Sequence, residues 1–124
     1  MPGEVFSLVG ARSGLNFNAG VKILFDQGTP SPLRTALVEH AVITAFEYGL
    51  STVKNGELIA AAELEFDLLV TTDRNLRYQQ QVPRARLSIL VLPTTSWPRI
   101  QHHLQLVTDA VNAIGTGEYV ELKF

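Results

Sequence analysis

Leu68-Leu69-Val70-Thr71-Thr72-Asp73-Arg74-Asn75 is a short apolar run that ends in two hydroxyls, a carboxylate and an amide. A continuous apolar run of this length, bounded by polar residues, reads as a strand buried on both faces. Upstream, Val21-Lys22-Ile23-Leu24-Phe25-Asp26 has the same form and also ends in an acid. In an open parallel sheet, ligands sit beyond the carboxyl ends of the strands. Two such strands, each ending in Asp, would aim two carboxylates into one crevice if they are neighbours in the sheet, an arrangement suited to a divalent metal and metal-assisted phosphodiester chemistry.

The surrounding pattern supplies the parallel sheet. Pro30-Ser31-Pro32 breaks the first strand and opens a short helix over Leu33 to Val38. Proline is tolerated there because the first helical N–H groups are unpaired anyway. Ala41 to Ala45 reads as a strand, and Tyr48-Gly49-Leu50-Ser51-Thr52 as a loop. Asn55 is a plausible N-cap for a helix in which Leu58, Ile59, Ala62 and Phe66 share one face. A further strand runs from Leu87 to Leu92 and stops at Pro93. Ile100, Leu104, Val107, Val111 and Ile114 recur at helical spacing, with Trp97-Pro98 at the start and Gly115 as the stop. Glu118 to Phe124 alternates as a last strand. Strand and helix in alternation predict an α/β domain with a parallel sheet and helices on its faces.

The chain has 124 residues, room for one core and one domain. Residues 1–20 read as an N-terminal extension without clear periodicity, and residues 21–124 as the domain. With 46% hydrophobic and 18% charged residues the chain reads as ordered and globular. It has no cysteine, which excludes disulfides and thiolate metal sites. No apolar run reaches bilayer length and the N-terminus is unlike a secretory signal, so no membrane partner is expected, and the lack of cysteine is compatible with the expected cytoplasmic address. A net charge of −2 is unlike the basic footprint of many nucleic-acid binders. Its distribution is uneven, because Arg74 to His103 contains arginines 74, 77, 84, 86 and 99 and no acid.

Three acids stand out. Asp26 and Asp73 follow buried strands, and Glu57 sits in a first helical turn; Asp26 and Asp73 also suit turn or capping roles, and Glu57 suits the helix macrodipole. Together they are candidate ligands for Mg²⁺ or Mn²⁺, both hard cations that prefer oxygen. Asn55, Asn75, Thr71 and Thr72 are neutral donors able to support such a set. Arg74 and Arg77 are candidates to grip a substrate phosphate. The histidines read as boundary residues, since His102 and His103 are adjacent and point about a hundred degrees apart on a helix.

Lys22-Ile23-Leu24-Phe25-Asp26-Gln27-Gly28-Thr29-Pro30, Lys54-Asn55-Gly56-Glu57-Leu58 and Leu69-Val70-Thr71-Thr72-Asp73-Arg74-Asn75-Leu76 occur in this order. The set resembles the short PIN-like nucleases, in particular the small PIN-like proteins treated as toxin components of toxin–antitoxin pairs. Strand-ending T-T-D-R-N is the most specific part, and the likeness covers roughly Val21 to Leu92. It implies a three-layer α/β/α PIN-like fold with a central, mainly parallel sheet. Catalysis would rest on Asp26, Glu57 and Asp73 with Mg²⁺ or Mn²⁺, and the substrate would be single-stranded RNA. A small antitoxin protein and a homodimer are implied as partners.

Two positions depart from the family pattern: Asn55 and Asn75 are amides where relatives often carry acids. The alternative expectation is therefore a catalytically degenerate PIN-like module that binds a protein partner or its own copy. Asp26-Gln27-Gly28-Thr29 also resembles the first motif of aspartyl-nucleophile phosphatases. There, however, a second aspartate belongs two residues on, where this chain has Gly28.

Overall fold

The computed structural model describes residues 20–50, 55–75 and 87–124, with the side chains of residues 55 and 56 excluded. The proposed N-terminal extension, except for Gly20, lies outside the described residues. The strands are β1 (Lys22–Phe25), β2 (Ala41–Thr44), β3 (Leu68–Thr71), β4 (Ser88–Val91) and β5 (Tyr119–Glu121). They form one sheet in the order β2-β1-β3-β4-β5, and every neighbouring pair is parallel. The α/β expectation is met, and the sheet is parallel throughout.

The apolar runs are explained by burial on both faces. Ile23 and Phe25 of β1, Leu68 and Val70 of β3, and Leu90 of β4 pack on one face with Leu33, Leu37, Ile100, Val107 and Val111. Leu24, Leu69, Ile89 and Val91 pack on the other face with Leu58, Ile59, Ala62 and Phe66. The latter four belong to α1 (Asn55–Glu65) and the residue following it. The helical face predicted for this segment is the buried one.

Connections follow from this division. β1 reaches β2 across the face of Leu33 and Leu37, and β2 returns past β1 to β3 across the α1 face. β4 reaches β5 in the β2-to-β3 direction but across the Leu33 face. These last two crossovers therefore have opposite hands, so one departs from the right-handed rule. The last crossover brings α2 (Trp97–His102) against the 3-10 helix that follows β1.

β2 and β4 are shorter than expected by one residue and by one at each end, and three other elements differ from the local reading. The helix predicted over Leu33 to Val38 is a 3-10 helix at Ser31–Ala36, with Pro30 as its N-cap. Leu33 and Leu37 donate to the carbonyls of Pro30 and Arg34, the i to i+3 spacing of that conformation. The single helix predicted up to Gly115 is divided into α2 and α3 (Leu104–Ala113) at His103, which has φ −120° and ψ 30°. The His103 ring stacks on Phe124 at 4.5 Å between centroids, a tertiary contact that accompanies the break. Finally, β5 has three residues, while Leu122 and Phe124 beyond it still pack on the core.

His40 links the residue before β1 to α3. Its Nδ1 accepts the Val21 N–H at 3.0 Å, so Nε2 carries the proton and donates to Asn112 Oδ1 at 2.9 Å. Gly20 makes this junction possible. Its φ is +75°, and a Cβ there would lie 2.0 Å from the Glu39 carbonyl oxygen. Among the described residues, no helix is long and apolar enough to cross a membrane.

Candidate functional site

The strand order has a topological switch at β1 and β3. The chain leaves β1 toward β2 and leaves β3 toward β4, so the two loops diverge at the carboxyl edge. Phe25 is in register with Val70, and the Asp26 N–H continues the ladder to the Val70 carbonyl at 2.9 Å. Asp26 is thus set beside Thr71. The adjacency of the two strands, on which the shared-crevice expectation depended, is present.

Thr71 joins the two aspartates. Its side chain is fully buried, and Oγ1 donates to Asp26 Oδ2 at 2.6 Å. The same oxygen accepts the Asp73 backbone N–H at 3.1 Å. Asp26 Oδ1 accepts the Gln27 N–H at 2.6 Å, so each carboxylate oxygen has one protein donor. An ionised carboxylate has about four acceptor sites, which leaves capacity for a further ligand. Asp73 Oδ1 accepts the Asn75 N–H at 2.9 Å, the two-residue spacing of an Asx turn. Thr29 pins the opposite loop: its N–H reaches the Asp26 carbonyl and its hydroxyl reaches Val70 O, both at 2.9 Å.

Thr72 lies close to the loop after β1. A Cβ built on Gly28 would lie 2.6 Å from Thr72 Oγ1. Glycine is favoured there by the close approach of the two loops, since a Cβ would force Thr72 to shift and its φ is not in the left-handed range.

Glu57 has the right edge and face but does not join the aspartates. α1 follows β2 and therefore starts at the carboxyl edge, on the face of Leu24 and Leu69. Glu57 is exposed in its first turn. Among the described residues, no group of three or more acids, histidines or cysteines is arranged to hold a metal ion. Of the three expected acids, Asp26 and Asp73 are tied to Thr71, the first by its carboxylate and the second by its backbone N–H. Arg74 and Asn75 are exposed at the same edge. Asn55 opens α1, but its side chain is outside the described part, as is Arg77.

No family model matches the chain, and neither does any curated protein or solved structure. The likeness to PIN-like nucleases therefore rests on the quoted residues alone.

Concavity at this edge extends to the other side of Asp26. A cleft of about 500 Å³ opens between the ends of β1 and β2, with Asp26, Gln27, Thr44, Phe46 and Glu47 among its walls. The turn after β2 is braced by a reciprocal pair: Glu47 N–H donates to Thr44 Oγ1, and Thr44 N–H donates to Glu47 Oε1. This is the hydrogen-bond logic of a capping box, and the Thr44-Ala45-Phe46-Glu47 spacing carries its signature. Arg34 Nη2 also donates to Glu47 Oε1 at 2.9 Å. The Thr44 N–H, followed by the Arg34 guanidinium, holds the Glu47 carboxyl below its ordinary value. In the sequence this turn is marked only by the Thr44-x-x-Glu47 spacing, because no helix follows directly to complete the cap.

Proposed function

We propose that the protein is a metal-dependent ribonuclease of the PIN-like type that hydrolyses phosphodiester bonds in single-stranded RNA. The observation that supports this reading is that the Asp26 carboxylate and the Asp73 backbone N–H meet on the buried Thr71 hydroxyl, which sets both residues at the switch point of a parallel sheet. Ligands of open α/β sheets bind at such points.

The donor set suits the implied cation. It consists of carboxylate and hydroxyl oxygens, and Mg²⁺ is usually held by one or two carboxylates together with water and substrate phosphate. Asp26 and Asp73 would hold it, while Glu57, at the same edge but apart from them, would orient the attacking water. Bound there, the ion would supply Lewis-acid polarisation of a phosphoryl oxygen and would make a water more acidic. Thr71 orients Asp26 by a charge-assisted hydrogen bond, and the Asx turn orients Asp73. Arg74 and Arg77 would grip the substrate phosphate. The three-layer PIN-like form, the toxin role, a small antitoxin, the homodimer and a cytoplasmic address belong to the same proposal and are supported by the resemblance.

The test is cleavage of a mixed single-stranded RNA in Mn²⁺, Mg²⁺ or EDTA, run beside Asp73→Asn. Asparagine keeps an Oδ1 to accept the Asn75 N–H, so the turn is preserved while the charge is lost. The expected result is metal-dependent cleavage by the wild type and none by the folded variant. Equal activity in the two proteins would remove the assignment.

A second reading, the degenerate binding module, is favoured by the lack of a three-acid group among the described residues. The amides at Asn55 and Asn75 point the same way. Calorimetric titration with Mn²⁺ separates the two, since a binding module has no need to hold the ion.

A further inference from the structure

We infer that the cleft between β1 and β2 receives a nucleobase of single-stranded RNA, stacked on Phe46, from the nucleotide flanking the phosphodiester held near Asp26. The inference deepens the ribonuclease proposal and rests on it for the identity of the ligand. Phe46 is 78% exposed although it is a large apolar side chain. It is presented by a closed turn: besides the Thr44–Glu47 pair, Tyr48 N–H donates to Thr44 O, Gly49 N–H to Phe46 O and Leu50 N–H to Ala45 O. A braced turn holds the ring at the cleft at little further ordering cost when a ligand arrives.

Chemistry of the remaining walls selects the ligand. Gln27, Ser31, Thr44 and Thr95 provide neutral polar side chains, and Arg34 is closed on Glu47 as an ion pair. Apart from Asp26, the cleft therefore offers a ring face and neutral hydrogen-bonding groups in place of net charge. That combination fits an uncharged planar heterocycle with polar edges better than a phosphate. A volume of about 500 Å³ is within the roughly 300–1,000 Å³ usual for small-ligand sites. Because Asp26 lines the same cleft, a base seated on Phe46 leaves its neighbouring phosphate at the proposed reaction centre. Stacking of a base on an aromatic side chain is tolerant of sequence.

The experiment measures binding of a fluorescent single-stranded oligoribonucleotide in EDTA, where metal-dependent cleavage is suppressed, by wild type, Phe46→Ala and Phe46→Trp. Ribonucleoside monophosphates and inorganic phosphate serve as competitors, and KM and kcat follow with Mn²⁺ wherever cleavage occurs. Phe46→Ala is expected to weaken binding roughly 5- to 150-fold, the range for loss of one stacked base. The fold loss should change little with salt, unlike a lost phosphate contact. Phe46→Trp should retain binding, and its fluorescence should change on saturation. Competition by monophosphates but not by inorganic phosphate supports a base site; competition by phosphate alone overturns it.

The two proposals fail separately. Binding that depends on Phe46, without any metal-dependent cleavage, keeps the cleft assignment and removes the nuclease. Cleavage with unchanged KM and affinity in Phe46→Ala keeps the nuclease and overturns the cleft assignment. A folded wild type that binds no RNA overturns the cleft assignment as well. Phe46 is exposed, so loss of folding is not expected, and thermal melts of each variant check this.

Discussion

Thr71→Val removes one hydroxyl while preserving side-chain shape, and two bonds go with it. The bond from Oγ1 to Asp26 Oδ2, at 2.6 Å, has a charged acceptor, and bonds to charged groups contribute about 1.5–3 kcal/mol. The bond from the Asp73 N–H, at 3.1 Å, is neutral and contributes about 0.5–1.5 kcal/mol. The site is fully buried at Thr71, so water does not readily replace the hydroxyl. A destabilisation of about 2–4 kcal/mol is expected. With a urea m-value of about 2 kcal/mol/M, the unfolding midpoint falls by about 1–2 M. Thr71→Ser keeps the hydroxyl and loses a methyl group, so it should cost only about 1 kcal/mol. A double-mutant cycle with Asp26→Ala should show coupling within the roughly 0.5–3 kcal/mol seen for contacting residues. Urea unfolding followed by circular dichroism provides the stabilities of wild type, the three single variants and the double variant. A Thr71→Val stability within about 0.5 kcal/mol of wild type, or equal costs for Val and Ser, would refute the bridging role.

Gly28→Ala places a Cβ 2.6 Å from Thr72 Oγ1, and overpacking of this kind costs about 1–3 kcal/mol. Much of that cost should vanish in Thr72→Ala, so thermal melts of the double variant should show recovery and not a sum. Glu47 has a depressed folded-state value, so its contribution is present above the unfolded value near 4.5 and is lost as pH falls through the folded one. Glu47→Gln should flatten that acid limb in urea midpoints measured from neutral to acid pH. An unchanged limb would mean that the Thr44 and Arg34 bonds do not persist in solution.

Much of the local structure was legible in the residues. Leu68-Leu69-Val70-Thr71 reads as a strand because a run buried on both faces needs no polar alternation, and β3 has those bounds. The α1 face followed from Leu58, Ile59, Ala62 and Phe66, which all pack in one cluster. The positions of Asp26 and Asp73, each just past a strand, followed from the same apolar runs. Local pattern did not reveal the break at His103, whose stacking partner Phe124 is 21 residues away in sequence.

Tertiary structure decided the rest, because contacts between distant segments leave no periodicity to read. Composition and pattern determined an α/β chain with acids at two strand ends. Only the sheet order made those strands neighbours, and only their register set Asp26 beside Thr71. Thr71 looked like a supporting donor and is the buried link between the aspartates. Likewise Phe46 is an unremarkable aromatic in sequence; its meaning depends on a turn closed by Thr44 and Glu47 and on the cleft that β1 and β2 create together. Hydrophobic periodicity determines which face of each element is buried, whereas the meeting of side chains across elements depends on how those faces are assembled.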